Sequence, residues 1–512
     1  MLSSAGIVHR RMSPTMSARP GSLRSAARFT AISRVASMAI RQLVLLYIVK
    51  ILDPTAMGVF EAALIVGGLL DVLVDAGVGQ AVIQRKELSA GFISTVFWLQ
   101  FGISVLLGGA AYLLAVPLSV MLGAEDAAPL LRILAWSFPL LALGSIHARL
   151  LMRDLRFGGV ALGDFVNSLT YGVVVLVFLH RYPGPELLVW ALVGSYGARS
   201  LILWAAQRAW TPSFTFQMKY IREVSSFSLN LLGSSVGTYA LQRLDRILIA
   251  HFGGEAALGI YGFAHRMILR PARMLAPIVS GVLLPALARV QDDLGVMRRL
   301  YSRGLGGIVL AVFPALVGIA LIVPSLVLVV DNPNWAAARW VIAALLPYAL
   351  LFTVLSSVGS VFVSLKRTDL MLRVNIGTSA ACLVVQGVLV LAFRGHEGAE
   401  LGAILAGGAS VTMLLLSPWV WRTALNLMDM SLLDALRPLV STMLATLGMV
   451  VAVMGGHALL GTSLGPIPSL LAEIAIGVLS YGVLIWWLQP PALVDLLAFL
   501  GLRKGPSRNL SD

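Results

Sequence analysis

Arg266, Arg270 and Arg273 are spaced i, i+4, i+7, so a helix through them presents three guanidiniums on one face, with His265 beside them. A guanidinium is a planar fork of N–H donors that grips two oxygens of an oxyanion at once, and it stays charged when partly stripped of water. Such a face suits a phosphate. Arg34 and Arg41, seven apart, share a face of an earlier apolar stretch, and Arg243 and Arg246 stand shortly before the triad. Competing uses are ion pairs with acidic neighbours and, for Arg273 and Arg34, reaching back to a water interface along the side-chain stem. Arg246 is expected to pair locally with Asp245.

The acids that face this basic set are Glu61, Asp71 and Asp75, with Asp71 and Asp75 one helical turn apart. Carboxylates supply hard oxygen ligands and titrate when desolvated, so these three and Asp245 are candidates for coupling Na+ or H+. They are equally candidates for neutralising the arginines, and Asp75 for capping the turn at Gly77 to Gly79. No metal site built from cysteine is available, because Cys382 is the single cysteine. Asp164 and Glu473 have no partner visible in the sequence.

The elements that carry these residues are apolar throughout. The chain has 512 residues, of which 58% are hydrophobic and 12% charged, and a mean hydropathy of +0.89. Those values mark an all-α integral membrane protein rather than a soluble domain. Runs long enough to cross about 30 Å of hydrocarbon at about 1.5 Å per residue predict about fourteen spans: 29–52, 58–83, 91–117, 129–150, 158–180, 186–207, 225–251, 256–287, 303–330, 336–364, 370–393, 399–421, 435–460 and 466–488. Arg41 and Arg266 then lie about 15 Å from a span end. A charge at that depth costs about 3 kcal/mol or more, so it faces a cavity or a partner.

The net charge of +14 follows topology and not nucleic acid. Lys and Arg gather in alternate breaks between spans, such as Arg149, Arg153 and Arg156, which are expected to attract anionic headgroups. With an even number of spans this places both termini in the cytoplasm. Residues 1–28 read as a disordered basic tail and 491–512 as a second cytoplasmic tail. The breaks are short, which leaves no room for an extramembrane active site. No P-loop, HExxH or nucleophile–base pair is present.

A repeat appears at an offset of 201. Met57-Gly58-Val59-Phe60 aligns with Leu258-Gly259-Ile260-Tyr261, and Arg41-Gln42 with Gln242-Arg243. Six spans separate the copies, so they share one orientation, which predicts two six-helix bundles related by a pseudo-two-fold along the membrane normal. The bundles would cover 29–222 and 223–425, with 426–490 adding two further transmembrane helices. Asp429 to Pro438 is expected to lie along the interface before them. Pro271, Pro277 and Pro285, with Gly281, are expected to kink the span that carries the triad.

Leu52-Asp53-Pro54-Thr55-Ala56-Met57-Gly58-Val59-Phe60, followed by Asp75 to Arg85, resembles the Wzx-type polysaccharide flippases of the multidrug/oligosaccharidyl-lipid/polysaccharide exporter superfamily. Leu244 to Ile249, Ala257 to Tyr261 and Leu284 to Asp293 agree with that resemblance, which extends over about residues 30–425. It implies alternating-access transfer of a polyprenyl-pyrophosphate-linked oligosaccharide from the cytoplasmic to the outer leaflet of a bacterial inner membrane. Implied partners are that lipid-linked oligosaccharide, membrane lipids, and a polysaccharide polymerase with its export machinery. Alternatives are a lipid II or multidrug exporter of the same superfamily, or, in another class, a membrane glycosyltransferase or polymerase. An arginine-rich cavity repels cationic drugs, and an enzyme acting on the same lipid needs acidic groups near a large outer loop, which is absent here.

Overall fold

The computed structural model describes residues 20–494 apart from 76–78, 80, 81, 84, 86, 394, 396, 397, 461–464, 491 and 492, and without the side chains of 20–28, 31, 75, 224–234, 238, 241, 275–282 and 460. Helices follow one another with short turns: α1 Pro20–Ile51, α2 Pro54–Asp75, α3 Ala90–Leu113, α4 Ala115–Met121, α5 Ala127–Leu134, α6 Ser137–Arg153, α7 Phe157–Phe178 and α8 Pro185–Ala206. Then come α9 Met218–Ala288, α10 Leu294–Val330, α11 Ala338–Leu355, α12 Val358–Ser364, α13 Thr368–Ala392, α14 Ala399–Asn426, α15 Leu432–Leu436, α16 Val440–Leu460 and α17 Pro466–Leu488. Among the described residues, thirteen stretches are long and apolar enough to cross a membrane. This is a multi-pass membrane protein.

Local chemistry sets where the helices begin and end. The Asp53 carboxylate accepts a hydrogen bond from the Ala56 amide at 2.8 Å, and Pro54, which lacks an N–H, takes the first position of α2. Asp293 caps α10 in the same way through the Val296 amide. α10 stops where Asp331 turns into the left-handed region at φ 56°. Two expected spans are each broken in two: 129–150 becomes α5 and α6, and 336–364 becomes α11 and α12. The short helix α15 and the 3-10 turn Arg437–Leu439 occupy the segment expected at the interface.

The prolines do not interrupt the helical backbone. α9 keeps helical backbone past Pro271, Pro277 and Pro285, and its non-helical residue is Gly254, at φ 79° and ψ 176°. Only a residue without Cβ takes those angles readily, so the break falls at the boundary between the spans expected at 225–251 and 256–287.

The packing order explains which helices can share a cavity. α1 packs on α7, α7 on α8, and α6 on both α8 and α3, while α2 lies against α5. On the other side α9 packs on α10, α11 and α14, α11 also packs on α14, and α16 and α17 pair with each other against α10. The most extensive contact joins α2 to α9. At its heart a Cβ on Gly58 would overlap the Glu255 carbonyl, and one on Gly259 would overlap the Pro54 carbonyl. Both pairs obey the offset of 201, so the repeated glycines meet each other across the crossing. Met57, Ala62, Ala63, Leu258, Tyr261 and Ala264 are buried around it. The turn after α10 closes one end, where Trp335 Nε1 donates to the Leu52 carbonyl at 3.1 Å and Asn332 to the Val49 carbonyl at 3.0 Å.

Candidate functional site

A cavity of about 420 Å³ lies against α2 and α9. Its N-terminal wall is built from α1 (Arg41), α2 (Glu61, Gly67, Gly68, Asp71), the start of α6 (Ser137, Phe138), α7 (Tyr171) and α8 (Tyr196). Its other wall is α9 alone, which contributes Arg243, Arg246, His265, Arg266, Arg270 and Arg273. The spacing of the triad works as expected, with one helical face delivering all three guanidiniums to one space. Against those six arginines, counting Arg41 with the α9 set less His265, stand two lining acids, Glu61 and Asp71.

Each arginine is held differently. Arg41 donates to the Asn167 side-chain oxygen at 2.5 Å and to Ser168 Oγ at 2.9 Å, and its guanidinium lies 5.9 Å from the Tyr171 ring centre. Asn167 is itself fixed, donating to Ser195 Oγ at 3.0 Å. Those partners are neutral, so Arg41 is aimed without losing its charge. Arg243 lies over the Tyr239 ring at 5.5 Å, and Tyr239 in turn donates to the Ile65 carbonyl at 2.7 Å. Arg273 sits 5.7 Å from the Phe352 ring. Arg270 lines the cavity with no hydrogen bond or ion pair to any described residue.

Arg266 and Arg246 are the paired exceptions. The Glu61 carboxylate, 1% exposed, lies 2.7 Å from Arg266 Nη2 and 3.6 Å from Arg246 Nη1. Arg266 also faces the Phe60 ring at 5.2 Å. Four arginines, Arg41, Arg243, Arg270 and Arg273, therefore line the cavity without an acidic partner among the described residues.

Several expectations are corrected here. Arg246 does not pair with the Asp245 side chain. Asp245 accepts the Tyr261 hydroxyl at 2.5 Å and the Arg246 backbone amide at 2.8 Å, while the Arg246 guanidinium turns to Glu61. Adjacent residues on a helix point about 100° apart, which separates the two side chains. Asp245 faces a second cavity of about 150 Å³ with Gln386 and Cys382, which meets the first at His265 and Arg273. Arg34 is exposed on α1 and lines neither cavity. The side chain of Asp75, expected as a cation ligand, an ion-pair partner or a turn cap, lies outside the described residues.

Outside the cavity, Asp164 finds Arg199 at 2.8 Å, and Glu473 finds His457 Nδ1 at 2.6 Å and the Ser325 hydroxyl at 2.6 Å. Two members of the basic stripe expected at headgroups also bond to backbone carbonyls. Arg153 donates to the Val82 carbonyl at 2.9 Å and the Arg85 carbonyl at 2.5 Å, and Arg156 to the Ala206 carbonyl at 3.1 Å. Both serve orphaned carbonyls at chain turns.

Sequence reasoning missed Asn167, Ser168, Tyr171 and Tyr196. Their spacing on α7 and α8 has no charge signature, and polar residues of this kind recur throughout apolar helices. Only the i, i+3 to i+4 relation of Asn167, Ser168 and Tyr171 hints at a shared face.

The arrangement can bind an anion with several oxygens, because several guanidinium forks converge on one partly enclosed space. The sequence model described as "Polysaccharide biosynthesis protein" matches residues 48–339, a range that includes every residue named above as lining the larger cavity except Arg41. The chain is 25% identical over 353 residues to the lipopolysaccharide biosynthesis protein WzxC of Escherichia coli (strain K12), covering 69% of this chain and 72% of that one. It is 26% identical over 344 residues to the succinoglycan biosynthesis transport protein ExoT of Rhizobium meliloti (strain 1021), covering 65% and 67%. The fold is similar to that of the lipid II flippase MurJ in an inward closed conformation, with a TM-score of 0.69 at 14% identity over 94% of this chain and 100% of that chain. An inward-facing multidrug resistance transporter of the MATE family gives 0.57 at 15% identity, over 78% and 99%.

Proposed function

The chain belongs to the family of polysaccharide biosynthesis proteins, and on that premise we propose that it is a flippase-type transporter for a polyprenyl-pyrophosphate-linked oligosaccharide. The direction is from the cytoplasmic to the outer leaflet of a bacterial inner membrane. The carrying observation is the set Arg41, Arg243, Arg270 and Arg273, which lines one cavity without acidic partners among the described residues. Four partly buried positive charges gathered in one cavity favour an anion, and a pyrophosphate offers charge and forked oxygens together. Tyr171 and Tyr196 give the same cavity aromatic edges and hydroxyls suited to a sugar.

Support also comes from the relatives, whose names place them in lipopolysaccharide biosynthesis and succinoglycan transport. Transport proceeds by alternating access between bundles 29–222 and 223–425, with both termini cytoplasmic. Delivery to a polysaccharide polymerase and its export machinery follows. Asp71 lines the cavity with no cation partner among the described residues, which makes it the carboxylate we assign to coupling with a Na+ or H+ gradient.

The test is depletion of the protein in its native membrane. The expected result is that lipid-linked oligosaccharide accumulates facing the cytoplasm, measured by its resistance to a glycosidase added outside spheroplasts. Unchanged sidedness with normal polysaccharide output overturns the reading. In proteoliposomes, export by the wild type should respond to an imposed Na+ or pH gradient and Asp71→Asn should lose that response. Wild-type transport indifferent to both gradients removes the coupling role.

A further inference from the structure

Glu61 is the one acid, among the described residues, that ion-pairs with arginines of the cavity. It reaches them from α2, while Arg246 and Arg266 both belong to α9. The contact is close but poorly aligned: Glu61 Oε1, Arg246 Nε and Arg266 Nη2 are all buried without a hydrogen bond of good geometry. Charge holds the group there, with little directional bonding to keep it.

The seat for the carboxylate is made by Gly262, where a Cβ would overlap Glu61 Oε1. Gly262 is the repeat counterpart of Glu61 itself at the offset of 201. One copy of the repeat therefore supplies an acid and the other supplies the space that admits it. Glu61 stands three residues from Gly58, less than one turn from the place where α2 and α9 touch backbone to backbone.

A carboxylate and a phosphoryl group offer a guanidinium the same thing, a pair of oxygens bearing negative charge. The Arg246–Arg266 pair opens onto the cavity together with the unpaired arginines, so an anion bound there competes with Glu61 for the same forks. We infer that Glu61 is a resident anion that occupies Arg246 and Arg266 in the empty cavity, is displaced by the phosphoryl group of the substrate, and competes that group off when it returns. The inference rests on the reading of the cavity as a phosphate site.

Two consequences follow. Six guanidiniums around one cavity would hold a pyrophosphate too tightly for turnover, and an internal competitor lowers that affinity without removing any binding group. Displacing Glu61 also unties α2 from α9 beside the glycine crossing, so substrate binding and loosening of that contact become one event. Glu61 is thus a positioning residue whose effect on affinity is opposite to that of a merely structural one.

The test is binding of inorganic pyrophosphate to the full-length purified protein by isothermal titration calorimetry, alongside export of lipid-linked oligosaccharide in cells. Glu61→Gln keeps the shape and removes the charge. Gly262→Ala keeps the charge and pushes the carboxylate off its seat, which serves if the first variant fails to fold. Both are expected to bind pyrophosphate about tenfold tighter than the wild type while export falls. Binding that is unchanged or weaker in the folded variants overturns the inference while leaving the phosphate site intact. Absence of pyrophosphate binding in the wild type, or binding indifferent to Arg270→Ala, overturns the phosphate site and the inference with it.

Discussion

Helix α2, residues 54–75, and its counterpart in α9, residues 255–276, occupy the two sides of one crossing and carry opposite charge. Gly58 and Gly259 play the same part, each admitting the other helix's backbone. One turn further the copies diverge: Glu61 faces Gly262, and the positions matching Arg266, Arg270 and Arg273 are Ile65, Leu69 and Val72. Close backbone contact needs the same residue on both sides, because any Cβ is excluded there. The cavity walls need the opposite, since two like-charged faces repel each other. The duplicated segment has kept its symmetry where packing demands it and lost it where its side chains line the cavity.

The sharpest way to break this comparison is to neutralise the basic side. Arg41→Ala, Arg266→Ala and Arg270→Ala should each cost about 2–5 kcal/mol of anion binding and abolish export, with membrane abundance unchanged by immunoblot. Wild-type export in all three would mean that the charge asymmetry has no transport role. Next in size is the symmetric part. Gly259→Val places a branched side chain against the Pro54 carbonyl and should destabilise the protein by about 1–3 kcal/mol in thermal melts, whereas Gly237→Ala, with open space around it, should be neutral or stabilising. Equal loss at both glycines would remove the special status of the crossing.

Smaller effects sharpen the boundary of the site. Asp164→Asn breaks the partly exposed pair with Arg199 and should cost about 0–1 kcal/mol without altering pyrophosphate affinity. Arg34→Ala should change stability by no more than about 0.5 kcal/mol, since Arg34 is exposed and lines no cavity. A large export defect in Arg34→Ala with normal abundance would extend the basic side of the comparison along α1.

Much of this was legible before any coordinates. Apolar runs of about 20 residues announce membrane helices because hydrocarbon leaves backbone groups no other partner, and the i, i+4, i+7 spacing put Arg266, Arg270 and Arg273 on one face. The identity of the arginine partners was not legible. Asp245 is next to Arg246 in sequence, yet helix geometry sends its carboxylate to Tyr261 and leaves Arg246 to an acid 185 positions away in the chain. The turn expected between the spans at 225–251 and 256–287 is made by Gly254, whose φ of 79° favours a residue without Cβ.

The sequence by itself determined that this is a helical membrane protein with cationic faces on its apolar spans and a repeated glycine motif. Those properties come from composition and from periodicities within single helices, which are local and survive whatever the helices pack against. Tertiary structure alone decided which arginines are neutralised, that Asn167 and Ser168 aim Arg41, and that the repeated glycines meet across the α2–α9 crossing. Each of these depends on distances of a few ångströms between segments far apart in the chain, and a one-dimensional pattern records no such distance.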